Sequence, residues 1–402
     1  MATQTASNYN VNLKVETTEG TAATGGAATG ERLRTLDSPG LKLARGIIRS
    51  AERRNDGNES KPRLGGKSVE GSYNVELSQG AFDTLIEALM RSTWVAPVAI
   101  TFDGGAALTS LTVDSSSQVT FAGTTTPAVA GLREGDVFRL TNMSTGANNN
   151  VNCRVKTIAG SVVTLHGTPL TTQAADSACT LTIQKKVAQA ATPTRRSFTF
   201  EQYLEDADVS EQFVGVRCVS LRLQLQPNGM VTATFGFIGM NRTALATGSS
   251  PYFTSPTEYT SINLVADDAS LTYNGAAVTT LTGWTIDFAI AAQVQPVIGS
   301  TLPPGTFDNT MSVTGECMGT VADFSDLTLF DAETEFAMSL MLVEPESEPK
   351  SFIHIHFGAV KILDIAGDLG GDAAYIQRRQ LAFTPKVAAT GIDAGVCTIS
   401  TG

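Results

Sequence analysis

Several stretches of this sequence alternate apolar and polar residues at every second position, which predicts β-strands with one buried face. Residues 67–77 place Val, Gly, Tyr, Val and Leu between Ser, Glu and Asn. Residues 219–226 repeat the pattern, and the Pro-Asn-Gly turn after them predicts that 230–240 pairs back as a hairpin. A further hairpin is expected at 269–278, followed by another alternating strand at 284–290. The chain is therefore predicted to be mainly β.

Helical periodicity is confined to two short segments. Ser78 is placed to cap a helix over roughly 80–91, in which Phe82, Leu85 and Leu89 recur at helical spacing. A second, shorter helix is expected around 326–334. Each helix follows a predicted strand, so both are expected to flank sheets.

The two ends of the chain carry the same order of elements. A strand and a helix are followed by a strand that starts Arg/Lys-Ser-Phe, at 196–198 and at 350–352, and then by a longer strand pair. Such self-similarity indicates a duplicated lobe.

Between the helix and the second half of the first lobe, short Thr-, Ser- and Val-rich runs with frequent turns predict a separate small β-barrel or sandwich. The expected organisation is a flexible amino-terminal arm, a discontinuous first lobe, an inserted barrel and a second lobe. The corresponding ranges are 1–30 for the arm, 31–98 and 187–250 for the first lobe, 99–186 for the insert and 251–402 for the second lobe.

Composition limits the possible functions. The 402 residues include 28 Lys and Arg against 39 Asp and Glu, a net charge of −11, which argues against a surface that grips nucleic-acid phosphates. Only 17% of residues are charged, and a surface rich in small polar residues favours association. Neither a signal peptide nor a run of about 18 apolar residues is found. Five scattered cysteines without CxxC spacing predict buried free thiols in a reducing compartment.

Motifs for catalysis or metal binding are weak. Residues 64–68 end like a phosphate-binding loop, but Lys61 stands where its first glycine is needed and a strand follows where a helix is needed. His354 and His356 share one face of a predicted strand, at the spacing of metal ligands, while His166 lies in the insert. Because a third ligand is lacking, we interpret the pair as polar residues at a subunit contact. No enzyme activity, metal or cofactor is expected.

Charge is divided unevenly along the chain. Residues 31–67 contain ten basic and five acidic residues, a local charge of +5, whereas 323–348 contain eight carboxylates and no basic residue. Two solvated faces would account for this distribution. Opposite blocks in opposite lobes also suit copies that meet head to tail.

Five segments, taken in order, resemble the major tail tube proteins of long-tailed bacteriophages. They are 13–21 (LKVETTEGT), 196–204 (RSFTFEQYL), 213–240, the hairpin 269–275 with its strand 282–288, and 312–325 (SVTGECMGTVADFS). These segments are distributed from residue 13 to residue 325, and all of them lie outside the insert.

The resemblance implies two β-sandwich lobes, each with a short flanking helix, that join edge to edge with lobes of other copies. Rings of such lobes stack into a hollow tube that conducts genomic DNA without binding it tightly. A duplicated lobe favours a trimer over a hexamer, with the insert on the outer surface. Tape-measure, terminator and distal tail proteins are implied at the tube ends, with assembly in the host bacterial cytoplasm and a final place in the virion tail. A carbohydrate-binding or adhesin-like β protein is the alternative.

Three groups of residues are predicted to act in assembly. The long polar segment 49–66 is expected to reach the adjacent ring through Arg49, Arg53, Arg54, Lys61 and Arg63. Its expected acidic partners are Asp323, Asp326, Asp331, Glu333 and Glu335. Strand periodicity predicts lumen-facing side chains at Glu70, Asn74, Glu76, Thr232, Thr234 and Asp287.

Overall fold

The computed structural model describes residues 3–5, 8–27, 29–52, 55–190, 192–321, 323–368, 375–386 and 395–402. Within these ranges the chain is mainly β, which confirms the prediction from alternation, and its two α-helices are seven residues long each. No helix in the described part of the chain has the length and hydrophobicity to cross a membrane.

The elements are numbered along the chain. The first stretch contains β1 (Tyr9–Val15), β2 (Gly26–Ala27), β3 (Glu31–Arg32), β4 (Gly40–Ile48), β5 (Arg63–Glu76) and α1 (Asp83–Leu89). The inserted stretch contains β6 (Val98–Thr101), β7 (Ser110–Val113), β8 (Val119–Ala122), β9 (Val137–Thr141), β10 (Cys153–Ala159), β11 (Val162–Leu165), β12 (Gln173–Asp176) and β13 (Thr180–Ile183). The third stretch contains β14 (Lys185–Ala188), β15 (Phe198–Leu204), β16 (Val209–Leu225), β17 (Thr232–Gly239), β18 (Asn241–Leu245) and β19 (Phe253–Thr254). The last stretch contains β20 (Ala269–Tyr273), β21 (Ala276–Val278), β22 (Leu281–Val294), β23 (Thr306–Thr320), α2 (Ser325–Asp331), β24 (Phe336–Val343), β25 (Phe352–Asp368), β26 (Ile376–Thr384) and β27 (Thr398–Thr401).

One antiparallel sheet, which we call the long sheet, runs through both lobes in the order β4-β5-β17-β16-β22-β23-β26-β25. Its first four strands belong to the first lobe and its last four to the second. The two lobes join where β16 pairs with β22, with Leu221 opposite Phe288 and Leu223 opposite Ile286. All four side chains belong to one hydrophobic core that extends through both lobes.

A second layer of strands packs against the long sheet and completes each lobe as a sandwich. The second layer is β3-β1-β15-β16-β18 in the first lobe and β21-β20-β24-β25-β27-β14 in the second. The 17-residue strands β16 and β25 contribute to both layers. Register shifts interrupt each of them near mid-length, and such bulges bend a strand, so the amino-terminal half lies in the second layer and the rest in the long sheet.

Apart from the additional strand β14 in the second lobe, the strand pairings of the two lobes correspond, as a duplicated lobe requires. Phe213 and Val216 of β16 occupy the positions of Phe357 and Val360 of β25. Gly71 of β5 likewise corresponds to Gly315 of β23. A Cβ atom would lie 2.1 Å from the Gly40 carbonyl oxygen at Gly71 and 2.9 Å from that of Thr285 at Gly315. Both lobes thus keep glycine where the adjacent strand approaches closely.

The alignment predicted from the Arg/Lys-Ser-Phe starts is wrong by one strand. Phe198 opens β15 opposite Val216, and Phe336 opens β24 opposite Val360. The counterpart of Phe198 is therefore Phe336, whereas Phe352 opens β25, the counterpart of β16. Both phenylalanines are buried at the start of their strands, Phe198 in the core of the lobes and Phe352 against Val137 of the insert.

Two segments expected to be unpaired are strands. Residues 9–15, assigned to the flexible arm, form β1, which pairs with β15 and buries Val11 and Leu13. Residues 63–66, assigned to the loop that reaches the adjacent ring, begin β5 and pair back onto β4. The loop itself is the tip of the β4-β5 hairpin, residues 49–62. A parallel pairing of β2 with β19 ties residues 26–27 to the segment that connects the lobes.

The inserted strands form a separate sheet in the order β12-β7-β8-β11-β10-β9-β13-β6, with its own core. Its edge strands β12 and β6 are not paired with each other within the described ranges, so the closed barrel predicted here is wrong. Strands from the whole sheet contribute to one core, including Phe102, Phe121 and Phe138, so the open sheet curls around it.

The insert follows the first lobe in sequence but packs on the second. Arg139 donates a hydrogen bond to the Lys350 carbonyl oxygen at 2.5 Å, and Arg154 donates one to the Ser270 carbonyl oxygen at 3.1 Å. The chain leaves the insert through β14, which pairs with β27. Residues 187–188, expected in the first lobe, therefore extend the second lobe.

As predicted, α1 follows β5 and α2 follows β23, but both helices are shorter than expected. In α1, residues Leu85, Ile86, Ala88 and Leu89 are buried against the core. In α2, the buried residue is Asp326. The two helices therefore contact their lobes in different ways.

Candidate assembly surfaces

The polar face of the long sheet, which points away from the core, carries every residue predicted to line a lumen. These residues alternate with buried neighbours along their strands: Glu70, Asn74 and Glu76 on β5, Thr232 and Thr234 on β17, and Asp287 on β22. Asn74 lies opposite Thr234, whose hydroxyl donates a hydrogen bond to Asn74 Oδ1 at 2.9 Å. The sequence period thus placed all six on one face.

Three basic side chains on this polar face lie beside a carboxylate of an adjacent strand. The pairs are Lys42–Glu70 at 3.2 Å, Arg222–Asp287 at 3.6 Å across the junction between lobes, and Arg378–Glu316. Glu76 and Asp364 lie on the same face, opposite Thr232 and Gln380, and Asp364 is diagonal to Arg378. These residues comprise five carboxylates and three cations, and each of the three cations lies beside a carboxylate.

The long sheet ends in two open edges. Within the described ranges, β4 pairs on the long sheet only with β5, and the carboxyl-terminal half of β25 pairs only with β26. Leu363, at the bulge of β25, is 56% exposed, whereas its counterpart Val219 is half-buried at the junction between lobes. An unpaired strand edge is a template for pairing with another chain.

The antiparallel order places different elements at the two ends of the long strands. At one end lie the tip of the β4-β5 hairpin (49–62) and the tip of the β22-β23 hairpin (295–305). The two hairpins touch, since the Lys67 amide donates a hydrogen bond to the Thr301 carbonyl oxygen at 2.9 Å. At the other end β5 leads into α1 and β23 leads into α2.

The predicted basic contact residues lie at the hairpin end. Those within the described ranges are Arg49, Lys61 and Arg63, all of them exposed. Arg49 lies 3.2 Å from Glu59 across the hairpin. Arg53 and Arg54 lie outside the described residues.

The predicted acidic residues lie at the helix end, in and around α2. Asp326 is buried, with its Oδ2 atom 2.5 Å from Arg379 Nε. Glu333 lies 2.5 Å from Lys361, and this hydrogen bond and charge lower the pKa of the Glu333 carboxyl. Asp323, Asp331 and Glu335 are exposed. Two of the five acidic candidates are thus engaged within the chain.

The histidines mark the contact between the insert and the second lobe. The His354 and His356 rings lie 6.3 Å apart, and a Cβ atom on Gly135 of the insert would come 2.1 Å from the His356 ring. Burial, together with the charges of His166 and Lys386, lowers the pKa of His356 to about 4, and burial lowers that of His354 as well. The predicted subunit contact is wrong, because this contact lies within one chain. No group of three His, Cys, Asp or Glu among the described residues is arranged to hold a metal ion.

A buried ion cluster joins the two lobes near the hairpin end. Asp308 of β23 lies 2.5 Å from Arg195, 3.0 Å from Arg217 and 3.4 Å from Arg91. Although burial alone would raise it, the pKa of Asp308 is held below its ordinary value by these arginines. Sequence patterns could not reveal this cluster, because its members are far apart along the chain and share no motif.

The fold and these surfaces define a duplicated β-sandwich protein built on one long sheet with open edges. A family model described as phage tail tube protein matches residues 7–385. The chain belongs to this family of structural phage tail proteins, which confirms the resemblance predicted from the sequence. A comparison with curated proteins found no match.

Proposed function

We propose that this chain closes into rings through its two open edges and that the rings stack into the hollow tube through which the phage genome passes. The observation that carries the proposal is the pairing of β16 with β22, which already joins two lobes edge to edge inside one chain. Because β25 is the counterpart of β16 and β4 is the counterpart of β22, the same junction can form between copies. Repeating one junction at a fixed rotation closes a ring and removes every exposed edge.

The internal junction also supplies a register for the junction between copies. Arg222 lies opposite Asp287 within the chain, and their counterparts are Ala366 on β25 and Lys42 on β4. Lys42 of the next copy would therefore lie opposite Ala366 and diagonal to Asp364. Opposite charges on neighbouring strands attract, so this arrangement takes the place of the internal ion pair.

Two lobes per chain favour a ring of three copies, which has six lobes and approximate six-fold symmetry. A ring of six copies is the alternative. In the three-copy ring, internal junctions alternate with junctions between copies. The two kinds of junction therefore need similar geometry, as the matched strand pairings of the lobes provide.

The polar face of the long sheet would line the lumen. Glu70, Asn74, Glu76 and their neighbours lie on this face, and three of its cations lie beside carboxylates. A wall whose cations are paired with carboxylates attracts phosphates weakly, so DNA can pass without being held.

A lumen lined by the long sheet would place the insert on the outside of the tube. The insert contacts β24 and β25 in the second layer of the second lobe, for example through Val137 packed against Met341 and Phe352. We further propose that the tube assembles in the bacterial cytoplasm, becomes part of the virion tail, and meets tape-measure, terminator and distal tail proteins at its ends.

A cross-linking experiment tests both the register and the ring size. The double variant Lys42→Cys with Ala366→Cys places one thiol on each open edge at directly opposed positions, within the separation that a disulfide can span. The native cysteines are buried, so they will not compete. Oxidation of assembled protein should give a ladder on denaturing gels that ends at a covalently closed species of three chains.

The matched control is Lys42→Cys with Met318→Cys. Met318 is exposed on the same sheet but lies on β23, an interior strand. This control should give no ladder. A ladder that ends at six chains would replace the trimer by a hexamer, and a ladder from the control alone would contradict edge pairing. Absence of rings and tubes from the wild-type chain in electron micrographs would contradict the proposed function.

A further inference from the structure

The two open edges of the long sheet carry large apolar side chains that are exposed in the single chain. On one edge, Leu363 at the bulge of β25 is 56% exposed and Phe330 of α2 is 37% exposed. On the other edge, Ile47 of β4 and Leu64 of β5 lie directly opposite each other and are 63% and 58% exposed. Exposed apolar clusters of this kind typically mark protein interaction sites.

The duplication assigns each of these residues a counterpart at the junction inside the chain. Helices α1 and α2 have seven residues each, and the second residue after each helix, Arg91 or Glu333, has a positive φ of 50° or 51°. Ala88 of α1 is therefore the counterpart of Phe330 of α2. The remaining counterparts follow from the strand register, and they are Val219 for Leu363, Arg217 for Lys361, Ala292 for Ile47 and Asp308 for Leu64.

Inside the chain these counterparts meet across the junction of β16 with β22. Asp308 of the second lobe lies 3.4 Å from Arg91 and 3.0 Å from Arg217 of the first lobe. Ala88 and Val219 line the same narrow crevice. Because these two side chains are small, the guanidinium groups have room to reach the carboxylate.

The charges at the open edge of the second lobe are arranged differently. Glu333, which follows α2 where Arg91 follows α1, lies 2.5 Å from Lys361, the counterpart of Arg217. A cation and an anion of one copy thus balance each other, whereas Arg91 and Arg217 both depend on Asp308 of the neighbouring lobe. The open edge of the second lobe therefore needs no carboxylate from its partner, and Leu64 stands where that carboxylate would be.

We propose that Phe330 and Leu363 of one copy pack on Ile47 and Leu64 of the next copy in the same ring. This apolar contact takes the place that the buried ion cluster has at the internal junction. The inference rests on the proposed ring, because it assumes that β25 of one copy pairs with β4 of the next. Larger apolar side chains on both edges then fill the space that guanidinium groups fill inside the chain.

The apolar contact suits a junction that forms between separate copies. Its side chains gain free energy on leaving water, whereas charged groups must first lose their hydration. It also opposes exchange of the edges. If the edge with Leu64 paired with β16, it would leave Arg91 and Arg217 without the carboxylate of Asp308.

The first test places a carboxylate in the apolar contact. Leu64→Asp should leave unfolding of the dissociated chain unchanged, because Leu64 is exposed there, while the protein concentration needed for ring formation rises at least tenfold. Val129→Asp is the matched control, since Val129 is 78% exposed on the insert. Native mass measurement reports ring formation, and denaturant unfolding of the dissociated chain reports folding.

The second test rebuilds the internal arrangement between copies. Glu333→Arg alone should weaken ring formation, because the new guanidinium group and Lys361 would lie together without a carboxylate. Leu64→Asp combined with Glu333→Arg should form rings at a lower concentration than either single variant, because the carboxylate then meets two cations, as Asp308 does within the chain. Leu64→Asp combined with Glu346→Arg, at an exposed position of the second lobe, is the control and should give no such recovery.

Ring formation by Leu64→Asp at the wild-type concentration would overturn the inference. A Leu64→Asp/Glu333→Arg variant that assembles no better than its single variants would also overturn it. The wild type forms rings in both of these cases, so the proposed function would stand. Failure of the wild type to form rings would instead remove the proposed function itself.

Discussion

The two lobes share every strand pairing of the repeat but differ in what covers them. The first lobe is covered by its own chain: the buried Glu16 carboxylate accepts hydrogen bonds from Ser197 and Thr199, and Leu264 of the connecting segment bonds to Leu77. The second lobe is covered by the insert, and its helix and outer strand remain open. The duplication therefore provides two lobes with matching edges, which can pair in the same way within and between chains. The differences between the lobes leave α2 and the edge of β25 uncovered.

The largest effect is expected from uncoupling the lobes at Asp308. Asp308→Ala would leave Arg91 and Arg195 without a carboxylate, whereas Arg217 would keep its ion pair with Glu19. Removing one partner of a buried ion pair costs about 3–5 kcal/mol. Denaturant unfolding should show this loss, with separate transitions for the lobes if they come apart. Asp331→Ala, at an exposed position of the second lobe, is the control and should change stability little. Equal curves for both variants would mean that the cluster does not couple the lobes.

The contact between the insert and the second lobe should weaken at low pH. The pKa of His356 is lowered from 6.5 to about 4 in the folded chain. As the pH falls, His356 is therefore protonated in unfolded chains before it is protonated in folded ones. The stabilisation is complete above pH 6.5 and is lost between 6.5 and about 4, and one pKa unit corresponds to about 1.4 kcal/mol. Thermal melting at successive pH values should show a loss on the order of 3 kcal/mol from this residue.

The first lobe provides the control for the acid effect. Its residue at the position of His356 is Gln212, so His356→Gln should flatten the pH dependence over this range. The same slope in wild type and variant would assign the acid sensitivity to other groups.

A pair of glycines isolates the contact between insert and second lobe. Gly135 and Gly131 both have positive φ, +82° and +99°, so alanine meets the same kind of backbone strain at each. At Gly135 the new methyl group would also meet the His356 ring, whereas nothing lies within 4 Å at Gly131. Overpacking of this kind costs about 1–3 kcal/mol, so Gly135→Ala should melt below Gly131→Ala. Equal melting temperatures would show that the insert shifts to make room for the methyl group without loss of stability.

The smallest effect on stability is expected at the junction on the polar face. Asp287→Asn removes an exposed ion pair with Arg222 and should cost less than about 1 kcal/mol. It should nevertheless raise the affinity of assembled tubes for DNA at low salt, because Arg222 loses its carboxylate. Asp268→Asn, at an exposed position outside the long sheet, is the control for a generic change of charge. Unchanged DNA binding by the Asp287 variant would argue against a lumen on this face.

Local patterns predicted the strands well because strand alternation is a property of neighbouring residues. Trp284, Ile286 and Phe288 are buried in β22, as their spacing predicted. The hairpin turn at Asn274 and Gly275 was predicted for the same reason, since a tight turn is encoded by the residues within it.

Relations between distant segments could not be predicted in this way. The matching of Phe198 with Phe352 failed because a three-residue motif recurs more easily than a strand register. Phe324 is 71% exposed, whereas its counterpart Phe82 is buried against Phe235. The aligned register places Arg379, more than fifty residues from Phe324, at the position of Phe235. The contact of the insert with the second lobe was also missed, because connectivity in sequence does not fix where a domain packs.

The junction between β16 and β22 has a kinetic consequence for ring formation. Two lobes tethered in one chain meet at a high effective concentration, so this junction forms without a diffusive encounter and independently of how much protein is present. In a ring of three chains, half of the junctions are of this kind. Ring formation would then require two encounters between chains, where six separate lobes would require five, and would be correspondingly less sensitive to dilution early in infection.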